Sequence, residues 1–262
     1  MARVAPDDAR EMLRVEGITK TFGGLVAVSD VTFVVPRGGI VSLVGPNGAG
    51  KTTLFNVISG VFPPDAGRVL LRGEDVTALA PHRLAERGLA RTFQNVRLFR
   101  HLNALENVMV GRTCRNRSGV FDALAWRARD REDRREAIER AEHLLAWVGA
   151  WDNRLLMPHE LPYGDQRRVE IARALATEPR LLILDEPTAG MVASEAHAVV
   201  ELMGRLVEQD ITLLLIEHNM NVVMSVSDNI VVLSFGERIG EGPPDRIQKD
   251  PKVIEAYLGV DE

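Results

Sequence analysis

Nine consecutive residues, Gly45-Pro46-Asn47-Gly48-Ala49-Gly50-Lys51-Thr52-Thr53, follow the apolar run Ile40–Val44 and lead into Leu54-Phe55-Asn56-Val57-Ile58. Strand, glycine-rich loop and helix, in that order, is the setting in which a backbone cradles phosphate. The glycines let N–H groups converge on an anion, and the helix N-terminus adds partial positive charge. Lys51 reaches the outer phosphates, and the Thr52 hydroxyl is placed to ligate Mg2+. A second piece, Leu181-Leu182-Ile183-Leu184-Asp185-Glu186-Pro187, ends four aliphatics with two acids. Burying the aliphatics delivers both carboxylates to the C-terminal edge of a sheet, where α/β proteins hold their ligands. There Asp185 would hold Mg2+ through its water shell and Glu186 would polarise an attacking water as general base. Alone, such a pair is more often a helix cap or a turn; beside a phosphate loop the balance reverses. A third apolar run, Ile211–Ile216, ends in Glu217-His218. An isolated histidine at a strand end is usually a partly buried polar residue. Its matching position makes His218 a candidate to donate a hydrogen bond to a γ-phosphate and to link that phosphate to Glu186. Gln94, within Arg91-Thr92-Phe93-Gln94-Asn95, has an amide suited to the Mg2+ and water shell. Spacing alone leaves it open between that role and an ordinary surface amide.

The elements that must position these groups are also written in the pattern. Ile40–Val44, Leu181–Leu184, Ile211–Ile216 and Ile230–Phe235 are unbroken apolar runs, which predicts buried strands of a parallel sheet. Between Pro187 and Asp210, Val199, Leu202, Met203 and Leu206 fall at helical spacing, so strand, helix and strand alternate as in an α/β fold. Leu13–Glu16, Val31–Val35 and Val69–Leu71 are shorter and lie among Gly, Pro and Asp; they predict a smaller, partly antiparallel sheet near the N-terminus. From Phe121 to Ala150 the chain becomes charge-dense, with Ile138, Ala141, Leu145 and Val148 as one apolar stripe, which predicts a helical subdomain. Its charges alternate in sign, so the opposite face reads as solvated. No internal repeat or low-complexity segment occurs.

Composition narrows the function further. With 32 Lys and Arg against 37 Asp and Glu, the net charge of −5 argues against a protein held to nucleic acid by global charge. A hydrophobic fraction of 45% in 262 residues excludes disorder and allows one large domain or a core with a small appendage. The single cysteine, Cys114, forms no internal disulfide, and no paired Cys or HxxxH spacing suggests a structural metal; a reducing compartment fits. Leu181–Leu184 and Leu213–Ile216 are the longest apolar stretches, far below the roughly 18–20 residues of a spanning helix, so any membrane role is peripheral. MARVAPDDAREMLRV at the N-terminus carries acids and does not read as a secretory signal.

Taken in order along the chain, these pieces resemble the ATP-binding subunit of ABC transporters, over nearly the whole length. Residues Gly45 to Thr53 are similar to the family's Walker A loop, Gln94 to its Q-loop glutamine, and Leu182–Glu186 to its Walker B strand. His218 is similar to its switch histidine. Leu161-Pro162-Tyr163-Gly164-Asp165 with Gln166-Arg167-Arg168 resembles its signature motif, and Phe22 stands where the family stacks an aromatic ring on adenine. Arg91–Gly111, Leu161–Pro179, Leu213–Asp228 and Asp250–Gly259 resemble the branched-chain amino-acid importer subgroup.

The resemblance implies a P-loop ABC ATPase fold: a mainly parallel core sheet, an N-terminal antiparallel β-subdomain and an inserted α-helical subdomain. It makes 1–262 one domain, with 11–95 and 176–262 as the nucleotide-binding core and 96–175 as the helical part carrying the signature. It implies ATP and Mg2+ as cofactors, with Thr52, Gln94 and Asp185 at the metal and Glu186, His218 and Gln94 in catalysis. It implies ATP hydrolysis coupled to uptake of branched-chain or related amino acids, at the cytoplasmic face of the cell membrane. The partners it implies are a second ATPase subunit, two membrane-spanning permeases and a periplasmic or extracellular binding protein, with no nucleic acid. Two ATPase subunits close head to tail, so that each ATP lies between one Walker A loop and the other signature. Arg97-Leu98-Phe99-Arg100 lies where the family docks a permease helix, with core packing of Leu98 and Phe99 as the plainer alternative.

Relatives for urea, amides and aromatic acids share the motifs. A soluble ABC ATPase of ribosome or nucleic-acid work would bring two cassettes or a long coiled-coil insertion, and a GTPase an NKxD motif; neither pattern is present. Retention of Glu186 and His218 weighs against a sensor that binds ATP without hydrolysing it. Two departures stand out. Pro162 and Asp165 replace a serine and a glutamine of the common signature, and Gly190-Met191-Val192-Ala193 lacks the Asp or Asn and the Pro usual in the D-loop. A heterodimer confines these departures to one of two sites, so the expected partner is a different ATPase chain.

Overall fold

A computed structural model describes residues 10–112 and 129–258, with 129–133 and 258 described through their backbone alone. The readings made on the first nine residues, on Cys114, on 121–128 and on Gly259 lie outside the described residues.

Five residues with no polar face cannot sit at a solvated surface, and in β3 (Ile40–Val44), β7 (Leu181–Asp185) and β8 (Thr212–Ile216) every residue is buried. They are central in a six-stranded sheet that also holds β6 (Leu89–Arg91), β9 (Asn229–Ser234) and β10 (Glu237–Gly242), in the order β10-β9-β3-β8-β7-β6. Neighbours from β9 to β6 pair in parallel, and β10 returns antiparallel on β9. Ile216 pairs with both Leu43 and Asp185, so β3, β8 and β7 end level with one another. The loop after β3, the acids after β7 and Glu217-His218 after β8 therefore leave the sheet from the same edge.

The second sheet, β2-β1-β4-β5, contains β1 (Glu11–Phe22), β2 (Leu25–Pro36), β4 (Ala66–Leu71) and β5 (Glu74–Asp75). Every pairing in it is antiparallel rather than partly so, and β1 and β2 run 12 residues each, well past the apolar segments that announced them. Toward the hairpin tip only Ile18 and Val28 are buried, and the strands continue there through their backbone pairing after the apolar run has lapsed. The β1–β2 hairpin turns at Gly23-Gly24 and carries Phe22 at its tip.

Helix α1 (Lys51–Ile58) lies between the sheets, with Leu54, Phe55, Val57 and Ile58 in a core shared with Leu13, Val31, Phe33 and Leu43. Short α2 (Pro81–Glu86) precedes β6. On the other face of the large sheet, α3 (Ala104–Gly111), α4 (Arg129–Trp147), α5 (Tyr163–Leu175) and α6 (Ala193–Glu208) share a second core. The stripe on α6 buries Val199, Leu202, Met203 and Leu206 as its spacing predicts. On α4 the stripe is rotated slightly: Ala141, Leu145 and Val148 are buried with Ala137 and Leu144, and Ile138 is half-buried. A third cluster packs α7 (Met220–Val226), α8 (Pro244–Ile247) and α9 (Pro251–Leu258) on the end of β3 and on β9, through Val44, Val223, Val232, Ile247 and Val253. Among the described residues no helix is long and apolar enough to cross a membrane.

Candidate functional site

The loop after β3 is built around backbone approaches that only glycine permits. Gly45 has φ 149°, and a Cβ there would lie 2.1 Å from the Leu233 carbonyl oxygen; at Gly50, φ 94°, it would lie 2.3 Å from that of Ala27. Gly50 hands the loop directly to α1, so the N–H groups of the turn and the positive end of the helix face one hollow. Lys51 is buried beneath the loop, its Nζ donating to the carbonyls of Gly45 (2.7 Å) and Pro46 (2.9 Å). Burial pulls its pKa below the usual lysine value, and the Glu186 carboxylate partly offsets this. The ammonium thus rests on the loop's own oxygens, which are weaker partners than a phosphate.

Three loops converge on one carboxylate. Glu186 follows β7 in the left-handed region (φ 47°), pinned by its N–H to the carbonyl of Ile216 at 2.9 Å. Its Oε1 is 2.8 Å from His218 Nε2, and its Oε2 accepts from Gln94 Nε2 at 2.9 Å. These groups, named from separate stretches of sequence, lie together on the wall of a cavity of about 740 Å³. The cavity is also lined by Asn47, Gly48, Ala49, Gly50, Lys51, Thr52 and Thr53, and by Phe22, Ala27 and Phe235. Its volume is within the roughly 300–1,000 Å³ of small-ligand sites.

Phe22 stands half exposed at the hairpin tip, where Phe62 meets it edge-on at 5.4 Å and the Lys20 ammonium lies 5.6 Å from its centre. Asp65 fixes this corner by accepting from Lys20 Nζ and from the Thr21 hydroxyl and N–H, each at 2.7 Å. Those three donors hold its carboxyl down at about 2. The Phe22 ring thereby lines the cavity from a hydrogen-bonded corner.

Asp185 is where structure and expectation differ. Its carboxylate is buried and accepts from Arg91 Nη2 at 2.7 Å, an ion pair that the sequence reading did not contain. Arg91 also donates to Asn56 Oδ1 and Ser59 Oγ, each at 2.7 Å, with Phe55 and Phe93 ring centres 5.9 and 5.4 Å away. The donor set of Thr52 hydroxyl, Gln94 amide oxygen and Asp185 carboxylate still fits Mg2+. All are hard oxygens, few enough to leave most positions to water and phosphate.

The signature residues Leu161, Pro162, Tyr163, Gly164 and Asp165 do not line this cavity. Leu161 is buried, and Gly164 opens α5 against the Glu195 side chain of α6. Asp165, the acid that stands for the glutamine of the common signature, has its charge met locally. It accepts from Asn153 Nδ2 at 2.7 Å and from Arg168 at 3.2 Å, in the first turn of α5, where an acid suits the helix dipole. Val192 is 63% exposed just before α6.

Arg167, quoted from the sequence without a role, is the largest fully buried side chain. It donates to Glu170 (2.8 Å) and to the carbonyls of Phe93 (2.7 Å), Gln94 (2.8 Å) and Glu186 (3.5 Å), tying α5 to both loops of the site. Burial raises the pKa of Glu170, and Arg167 opposes that rise. Glu217 is likewise buried with four donors around it. A signal for the place of Glu217 was available: it stands directly after the apolar run 211–216, the rule that found Asp185. A second hollow of about 660 Å³ opens beside α5, lined by Phe93, Arg97, Phe99 and Arg173. Arg97 lies over the Phe93 ring at 4.9 Å, Phe99 is half exposed, and Leu98 packs into the core.

Comparison with known proteins follows the same lines. A family model described as ABC transporter matches residues 28–189, and one described as Branched-chain amino acid ATP-binding cassette transporter matches residues 237–262. Over 252 residues the chain is 43% identical to the high-affinity branched-chain amino acid transport ATP-binding protein BraF of Pseudomonas aeruginosa, covering 96% of this chain and 99% of that one. It is 41% identical to LivG of Escherichia coli (strain K12), with the same coverage. Among solved structures it is similar to the ADP conformation of MJ1267, an ATP-binding cassette of an ABC transporter, with a TM-score of 0.83 at 34% identity over 95% of this chain and 99% of that one. The dimeric post-hydrolysis state of the cassette MJ0796, bound to ADP and Pi, gives 0.76 at 26% identity over 89% and 99%. Because the likeness runs nearly the full length of both proteins, far beyond the phosphate loop, the chain belongs to the ABC transporter ATP-binding proteins, in the branched-chain amino acid transport group.

Proposed function

We propose that this chain binds and hydrolyses ATP as the energising subunit of an ABC importer, and that the imported solutes are branched-chain or closely related amino acids. The observation that carries the reading is the meeting of Gln94 and His218 on the Glu186 carboxylate at the wall of the cavity formed by the 47–53 loop. In this reading the loop N–H groups hold the phosphates, Lys51 exchanges the Gly45 and Pro46 carbonyls for phosphate oxygens, and adenine stacks on Phe22. Mg2+, held by Thr52, Gln94 and Asp185, neutralises phosphate charge when bound. Glu186 accepts a proton from the water that attacks the γ-phosphorus, while Gln94 and His218 keep its carboxylate aimed at that water. His218 also donates to the γ-phosphate.

Residues 161–165 serve the nucleotide of a second ATPase subunit, since they lie off this chain's own cavity. The hollow beside Arg97 and Phe99, within a helical subdomain of 96–175, takes a helix of one of two permeases. The binding protein acts through those permeases, and the assembly keeps this chain on the cytoplasmic face of the membrane. The substrate class rests on the relatives' names and on the tail match at 237–262.

The test is Glu186→Gln in the assembled transporter. Turnover should fall by roughly 10²–10⁴-fold with nucleotide binding retained; wild-type turnover refutes the role. Uptake of labelled leucine with valine, urea, short amides and aromatic acids as competitors reads the solute class, and failure of valine to compete overturns it.

A further inference from the structure

We infer that Glu217 is a positioning residue for hydrolysis: a strut that sets the spacing between the loop carrying Glu186 and the loop carrying His218. The inference rests on the roles proposed for those two residues. Glu217 is 3% exposed at the end of β8, deeper than either. One carboxylate oxygen accepts from the Thr188 N–H at 2.9 Å and its hydroxyl at 2.5 Å. The other accepts from the N–H groups of His218 at 3.1 Å and Asn219 at 3.4 Å. One side chain therefore spans two segments: the turn two residues after Glu186, and the turn that presents His218.

A buried carboxylate is a costly way to fill space, and it persists only where donors satisfy it. Here the donors come from the two turns whose relative position the reaction depends on. Glu186 also sits at φ 47°, a conformation a non-glycine residue holds only under restraint, so the turn that carries it needs an anchor. The same turn continues through Thr188 to the exposed Val192, so the strut also joins that surface segment to His218.

Glutamine at 217 keeps the size but places an NH2 against N–H donors on one of the two turns. In the full chain assembled with its partner ATPase and permeases, Glu217→Gln should lower kcat about tenfold or more. KM for ATP and the Kd of a fluorescent N-methylanthraniloyl ATP should stay within about twofold, because the phosphate loop is untouched. Thr188→Val removes only the hydroxyl donor and should lower kcat by several-fold. The double variant should be no slower than Glu217→Gln alone, since both changes cut one link. An unchanged kcat in either single variant, or losses that multiply in the double, overturns the strut; if Glu217→Gln fails to fold, Thr188→Val decides alone. Glu186→Gln and His218→Ala serve as references. If they too leave turnover intact, the catalytic assignment itself has failed, whereas slow references beside a fast Glu217→Gln overturn the strut only.

Discussion

Asp185 meets a guanidinium in this structure, and that pairing decides what its replacement should do. An amide at 185 still accepts from Arg91 but no longer carries the charge that draws a dication. Asp185→Asn should therefore raise the Mg2+ concentration needed for half-maximal ATPase activity while the fold persists. A Mg2+ titration with unchanged midpoint counts against the metal role. The residues legible from sequence were those whose task shows in their neighbours. Lys51 lies among glycines, and Asp185, Glu186 and His218 each follow an apolar run. Arg91 and Arg167 stayed unassigned because their partners are distant along the chain, Asp185 94 residues from Arg91 and Gln94 73 from Arg167; Glu217 follows an apolar run, but its task does not show there, since Thr188 is 29 residues away. Only the folded sheet edge brings such pairs together.

Elements were legible in proportion to how fully they are buried. The runs at 40–44, 181–184, 211–216 and 230–235 correspond to β3, β7, β8 and β9 to within a residue at each end, because strands covered on both faces have no polar residues to blur them. β5 and β6, of two and three residues, are too short to show any period. In the 97–100 segment the plainer reading, core packing, holds for Leu98 and not for Phe99. Leu98 is packed in the core, and Phe99 stands half exposed at the hollow beside α5, with the Arg173 guanidinium 5.6 Å from its ring. Asn107 of α3 shapes the segment by accepting from the Phe99 N–H at 2.8 Å and donating to the Leu102 carbonyl at 2.9 Å. Arg97 is tied to α5 by its backbone, whose N–H and carbonyl meet Glu170 and Arg173 at 3.3 and 2.5 Å. Reversing the charges of Arg97 and Arg100 should thus leave those ties in place. The double reversal is expected to uncouple transport while ATPase activity of the chain without permeases stays within about twofold. Transport that survives it puts the dock elsewhere.

At the scale of the whole molecule, the signature residues do not line the chain's own cavity, and the head-to-tail pairing proposed above would set them against a second subunit's nucleotide. Arg168 and Asn153 already satisfy Asp165, which leaves Pro162 and the exposed Val192 as the departures a partner's nucleotide would meet. Valine offers that partner no hydrogen bond. In a heterodimer the site built on this chain's Lys51, Glu186 and His218 keeps a full set of hydrolytic groups, and the opposite site does not. Glu186→Gln here should abolish most ATPase activity of the transporter, and the equivalent change in the partner should cost less. Steady-state ATPase and uptake for the two single variants decide it: equal losses remove the asymmetry, and full activity of this chain as a lone homodimer removes the heterodimer. This level was legible only through the family resemblance, because contact with a second chain imposes no spacing pattern on the first.

The Arg91–Asp185 pair has a consequence for how such a machine idles. A carboxylate buried at a sheet edge is costly unless an opposite charge or several donors meet it. Arg91, anchored on Asn56 and Ser59, supplies a resident countercharge that does not leave. The Asp185 side chain is thus oriented by partners within the chain itself, whatever ligand the site holds. That corner is thus complete within the chain, and nothing in it need be rebuilt as the proposed Mg2+ comes and goes.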